Sequence, residues 1–296
     1  MIRRNILTDQ EAREEFIRGV HLLKQRSIGD GLGVYDYFVY WHHEAMMLST
    51  PPGSFRNAAH TGPVFLPWHR YMLLVLEFEL RDALGNDDFR LPYWNWSAEA
   101  DSPLQTPFWS PEVMGGSGQP VGSGRFQRFG PDGLEFEVRL DVDPRGGRRL
   151  RRVSRGLERN LGASPNGRIP SANEVAEAVS RLPTYDTEPW DDSSFGSFRN
   201  QLEALHNPVH VFVGGDMVRS TSPNDPVFFL HHCNVDRIWR SWQERRGLDR
   251  YAPAASAPES LLFHRRTDRM FSFFDSTVTP ETVLDLDEFY EYDSLV

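Results

Sequence analysis

Cysteine is almost absent from this chain: one in 296 residues, Cys233. That excludes an internal disulfide framework and any metal site built on several thiolates. Lysine is equally rare, since Lys24 is the single lysine among 32 basic residues and the rest are arginine. Acidic residues outnumber them at 42, and the net charge of −10 argues against binding nucleic acid through the overall field. Long apolar runs are missing too; the longest, from Met72 to Leu76, is far too short to span a bilayer. Adjacent Arg3 and Arg4 precede no apolar stretch, so no signal peptide is expected. The chain reads as cytoplasmic unless a carrier takes it out.

What is present points to a packed, mainly helical chain. Hydrophobic residues at 39% and aromatics at 12% suffice for a sizeable core and rule out disorder for the bulk of it. Apolar residues at helical spacing predict helices over 9–26, 35–48, 66–84 and about 226–246. Ser171 followed by Glu174 is a capping box opening a helix over 171–182. Pro208 is tolerated only in a first turn, so a further helix is expected to start there with Asn207 as its cap. Strict alternation over 134–140 predicts one strand. Gly29 to Gly33 lacks the strand and full glycine spacing of a phosphate loop and reads as a turn. The basic run from Arg145 to Arg159 reads as a solvated surface segment. No repeat or composition break divides residues 1–296, which are expected to form one domain.

Ten histidines stand against the one cysteine, and two clusters hold most of them, at 42–69 and 206–232. His206 and His210 are one helical turn apart, so their rings can converge on one ion. Asn207 stands where a zinc protease of the His-Glu type carries its glutamate, which removes that candidate. The clustered rings lie in segments dense with Trp, Phe, Leu and Pro, and several imidazoles facing one apolar interior need protons, partners or a metal. Imidazole-only sites suit copper, zinc, iron or nickel. Spacing alone leads to a two-metal histidine site, with copper favoured.

The run from His60 through Thr61, Gly62, Pro63 and Phe65 to Trp68, His69 and Arg70, continuing to Glu77, resembles the first copper signature of the tyrosinase and polyphenol oxidase family. Asp225-Pro226-Val227-Phe228-Phe229-Leu230-His231-His232, with Asp236 beyond, resembles the second. Leu91 to Ser97, His206 to His210 and Tyr290 to Asp293 extend the resemblance over nearly the whole chain, closest to the short bacterial members. It implies a central four-helix bundle holding a dicopper site, with irregular loops and a few short strands. Copper A falls to His42, His60 and His69, and copper B to His206, His210 and His232. Dioxygen is the implied co-substrate, and ortho-hydroxylation of phenols and oxidation of o-diphenols to quinones the implied chemistry. Catechol or o-aminophenol oxidation, and oxygen carriage of the haemocyanin kind, are the alternatives.

Carried over further, Glu203 and Asn207 orient the water that takes the phenol proton, although Glu203 lies only three positions before His206. Val211, Arg219 and Ser220 border the substrate, with Arg219 expected to attract a substrate carboxylate. Glu77 and Asp236 orient ligand rings. His231 is a neighbour of copper B pointing away by roughly a hundred degrees. His21 and His264 are expected on the surface, and His43 has no role. Ala58 stands where some members carry a cysteine joined to a copper ligand, so that thioether is excluded, and Cys233 is a small core residue. A small copper-loading partner of the caddie type completes the implied set.

Overall fold

The computed structural model describes residues 1–130, 133–143 and 148–296. Among these, six α-helices supply the regular structure. They are α1 (Gln10–Gln25), α2 (Val34–Met47), α3 (Phe65–Leu84), α4 (Ala172–Arg181), α5 (Phe198–Val213) and α6 (Val227–Arg246). Six short strands, β1 (Ile2–Arg3), β2 (Ser27–Gly29), β3 (Leu32–Gly33), β4 (Val138–Val142), β5 (Leu150–Arg155) and β6 (Glu291–Tyr292), form three two-stranded pairs. The chain is therefore mainly helical, as expected, and most of the predicted helices lie within two residues of their observed limits.

The caps explain where several of these helices begin and end. Asp9 accepts the Ala12 amide at the start of α1. Ser171 and Glu174 exchange the two hydrogen bonds of a capping box at α4. Gly85 ends α3 at φ +64, which a glycine adopts without strain. Helices α3 and α6 are buried along most of their length, and an apolar cluster packed between the helices includes Trp41, Trp68, Trp239 and Trp242.

Two expectations are corrected. Helix α5 starts at Phe198, not near Pro208, which sits well inside it. An interior proline removes one ladder bond and costs about 3 kcal/mol. Burial of Phe198, Leu202, Leu205, Val209 and Phe212 along one face offsets this. The strand expected over 134–140 runs instead over Val138–Val142, because pairing with β5 begins at Val138 opposite Arg155. The inward alternation itself holds, with Phe136, Val138 and Leu140 all buried.

The basic run also departs from a solvated segment. Arg151 and Arg152 are exposed, but Arg159 is buried and forms an ion pair with Asp225 at 2.6 Å. Residues 145–147 lie outside the described residues. The turn at Gly29 to Gly33 is a tight β2–β3 hairpin.

The two chain ends meet beneath the helices. Strand β1 pairs parallel with β6, which brings Arg3, Tyr290 and Tyr292 to the buried carboxylates Glu77 of α3 and Asp236 of α6. Arg3 lies over the Tyr290 ring at 3.4 Å. Cys233 is buried, with its sulfur 3.6 Å from the Tyr292 hydroxyl, as a small core residue.

Candidate metal centre

Helices α2, α3, α5 and α6 aim imidazoles at one place. Two groups form: His42, His60 and His69, then His206, His210, His231 and His232. Within each group one nitrogen per ring lies within 4.8 Å of the others. The groups adjoin, because the His69 and His232 rings stack at 4.1 Å with 9° between planes. All six residues expected to hold copper are thus brought together. His60 arrives on the loop before α3, where Asn57 Oδ1 accepts the Ala59 and His60 amides.

The hydrogen bonds decide which nitrogen of each ring is bare. His42 Nδ1 faces the Ser220 carbonyl at 2.7 Å, His69 Nδ1 the Phe65 carbonyl at 2.8 Å, and His210 Nδ1 the Met217 carbonyl at 2.7 Å. A carbonyl only accepts, so each Nδ1 carries the proton and each Nε2 keeps a lone pair. His206 Nδ1 faces Asn207 Oδ1 at 3.0 Å, to the same effect. The Nε2 atoms of His206 and His210 then meet at 2.8 Å with two lone pairs and no proton between them. His232 Nε2 is 3.2 Å from His206 Nε2, and the buried Nε2 atoms of His42 and His69 have no protein partner. Converging lone pairs on largely buried rings fit a cation, and an all-imidazole donor set fits copper.

Burial keeps these rings neutral. It pushes His42 down to about 3 and His210 to about 4, and drives His60, His69, His206, His231 and His232 well below the ordinary imidazole range. Neighbouring imidazoles reinforce the effect on most of them. An unfolded chain takes up protons on these residues near pH 6.5, whereas the folded chain resists until about pH 4 or below. The copper-free protein should therefore gain stability as pH rises through that window, by roughly 1 kcal/mol per pH unit for each such ring. Thermal unfolding in the presence of a chelator is expected to show a midpoint at least about 10 °C lower at pH 5 than at pH 7. Equal midpoints would contradict the neutral cluster.

The centre opens on a cavity of about 260 Å³ lined by His42, His60, His206 and His210, with Asn207, Val211, Arg219 and Ser220 at its border. Met46, Met217, Val218 and Ser222 line it as well and were not expected. Met46 lies one helical turn beyond His42, a spacing that marks it. Met217 and Ser222 sit in two short 3-10 turns, Gly215–Val218 and Ser222–Asn224, without such a signal.

Several residues stand elsewhere than expected. His231 does not point away: its ring stacks on His206 at 4.9 Å and lies 4.9 Å from His210, fully buried, with neither nitrogen partnered. His21 and His264 are buried, not surface residues. His21 bonds the Arg125 carbonyl and stacks on Phe126. His264 packs against the loop after His60, where a Cβ on Gly62 would come within 2.8 Å of its ring. Glu203 does not line the cavity; one carboxylate oxygen accepts the Thr61 amide at 2.7 Å and the other the Arg199 guanidinium at 2.9 Å. Burial raises its carboxyl pKa despite Arg199. Arg219 is no free cation, since Asp141, Asp216 and Glu158 all hold its guanidinium at 2.9–3.0 Å. A substrate carboxylate there has three competitors. Glu77 and Asp236 bond Arg3, Arg70 and the terminal tyrosines, and no bond from either to a copper-site ring is present among the described residues.

Comparison with known proteins follows the same line. Residues 32–245 match the family model described as the common central domain of tyrosinase. A tyrosinase of Streptomyces glaucescens is 37% identical over 97% of this chain and 96% of its own length. A grixazone synthase of Streptomyces griseus is 33% identical over 99% of both. Among solved structures, a polyphenol oxidase mutant from Thermothelomyces thermophila superposes with a TM-score of 0.61 at 26% identity, covering 82% of this chain and 70% of that one.

Proposed function

The chain belongs to the tyrosinase family of dicopper phenol oxidases, and on that premise we propose that His42, His60 and His69 hold one copper ion and His206, His210 and His232 the other. The observation that carries this assignment is the facing Nε2 lone pairs of His206 and His210, each bared by an Nδ1 proton bonded to an oxygen. A bound copper pair supplies the redox chemistry by which dioxygen, the proposed co-substrate, hydroxylates a phenol and oxidises a catechol to a quinone. The rest falls to the protein. Met46, Val211, Met217 and Val218 offer a phenol ring an apolar mouth, and the buried helices exclude water behind it.

Asn207 borders the cavity and Glu203 lies one turn before it on α5, so their side chains are neighbours on one helix face. Each Glu203 oxygen keeps a second lone pair beyond its protein bond. The proposed role of the two is to hold a water that accepts the phenol proton. Glu203→Gln is expected to lower monophenol turnover by about 10²-fold while leaving diphenol oxidation near wild type. An equal loss on both substrates would reduce Glu203 to holding Thr61 beside His60.

One core runs from Ile6 to Leu284, which supports reading residues 1–296 as a single dicopper unit. Among the described residues no helix is long and apolar enough to cross a membrane. The proposal extends to a small copper-delivering partner, which co-purification with a short His- or Met-bearing protein would reveal. The full reaction is tested by loading the protein with copper and following oxidation of tyrosine, dopa and o-aminophenol by absorbance. Turnover of tyrosine and dopa is the expected outcome. Similarity to a grixazone synthase supports a second reading, oxidation of catechols or o-aminophenols with little hydroxylation. Turnover without tyrosine would select it. Reversible oxygen binding with no turnover of any phenol would overturn both.

A further inference from the structure

One loop, residues 214–222, touches both proposed copper sites through its backbone. Its Met217 carbonyl accepts the Nδ1 proton of His210, and its Ser220 carbonyl accepts that of His42. Neither contact depends on a side chain of the loop, so the loop's position decides whether His42 and His210 present Nε2 to a metal. Side chains hold that position. Asp216 is fully buried and bonds Arg155 and the Glu158 amide. Arg219 bonds Asp141, Asp216 and Glu158. These anchors secure the loop up to Arg219, and one more residue holds the Ser220 side chain itself.

His43 fills that place. It follows His42 on α2, is only 2% exposed, and turns its ring to the loop instead of the metal cluster. Its Nε2 lies 3.0 Å from the Arg148 carbonyl and its Nδ1 2.8 Å from Ser220 Oγ. The Arg148 carbonyl can only accept, so Nε2 carries the proton and Nδ1 must accept from the Ser220 hydroxyl. The direction of every bond in the chain is then settled. The hydroxyl of Ser220 donates to His43 while its carbonyl accepts from His42, and both faces of one residue are gripped by consecutive histidines.

We propose that His43 is a positioning residue of the copper site, acting through Ser220 to fix the carbonyl that sets the tautomer of His42. This rests on the assignment of His42 as a copper ligand. Partners that hold a ligand ring in one tautomer typically change metal affinity about 10- to 100-fold when removed. His43→Leu removes both bonds. His43→Asn places an oxygen near the Nδ1 position, keeps an acceptor for Ser220, and loses only the reach to Arg148.

The test is copper affinity by competition with a chelator, beside thermal unfolding of the copper-free proteins. His43→Leu is expected to weaken binding of one of the two coppers about 10- to 100-fold. His43→Asn should stay near wild type in affinity, although both variants lose the Arg148 bond and shift the copper-free midpoint. Equal affinity in wild type and His43→Leu, or equal weakening by Leu and Asn, would overturn the proposal. Should His43→Leu fail to fold, Ser220→Ala removes the same hydroxyl bond and is expected to weaken the same copper; unchanged affinity there overturns it equally. Two full-affinity coppers in His42→Ala would instead strike at the ligand assignment beneath it.

Discussion

His69→Ala is expected to leave the protein with one copper per chain and to lower phenol oxidation about a thousandfold, since a metal's share of several kcal/mol in the barrier disappears with it. His69 stands between the two groups, 4.8 Å from the His60 ring and stacked on His232. Its Nε2 is buried without a partner and its Nδ1 is fixed by the Phe65 carbonyl, so no other group in the protein uses the Nε2 lone pair. The first group holds three rings and has no spare among the described residues. The second group is different, because His231 lies among its members and can stand in for a lost neighbour. A ligand of the first group is therefore the cleaner deletion. Alanine suits the interior of α3, and the imidazole it replaces is neutral, so no charge is orphaned. Metal analysis and oxygen uptake with dopa check this outcome; full copper content in His69→Ala would contradict it.

The second large effect concerns stability. Asp236 is buried and accepts from Arg70 at 2.5 Å, Arg3 at 3.3 Å, and the Tyr290 and Tyr292 hydroxyls at 2.6 Å each. Burial pushes its carboxyl up, but Arg70 and Arg3 outweigh that and hold it below the usual range. It stays ionised through the pH window in which the histidines of an unfolded chain protonate. Its own contribution is present above about pH 4 and is lost only as pH falls through its lowered value. Asp236→Ala leaves Arg3 and Arg70 buried with one carboxylate fewer between them, which costs about 3–5 kcal/mol. Thermal unfolding of the copper-free variant is expected to drop by an amount on the order of 10 °C. A change within error would mean that the arginines find water or other partners when the carboxylate is gone. The loss is structural, since Asp236 bonds no copper-site ring among the described residues.

The histidines of the site were legible in the sequence, because clustered imidazoles among Trp, Phe and Pro have few physical explanations. The helices carrying them were legible too, where a capping residue or a glycine marks an end. The start of α5 was not. Proline is a local rule, and a buried face fifteen residues long outweighs it. His21 and His264 show a related limit, since a polar ring is read as exposed until its partner, here the Arg125 carbonyl and Thr50, is seen across the fold. The same holds for Arg219, whose three carboxylates come from β4, from the segment after β5 and from its own loop. Least legible of all were the carbonyls of Phe65, Met217 and Ser220. They orient three rings of the cluster, yet every residue type carries a carbonyl, so composition leaves no trace of which ones matter.

Copper bound per chain at saturation, measured side by side in wild type and His69→Ala, tests most directly whether six histidines hold two copper ions in two groups of three. Two ions in wild type and one in the variant is the expected result. Fewer than two in wild type, or two retained in His69→Ala, would contradict it.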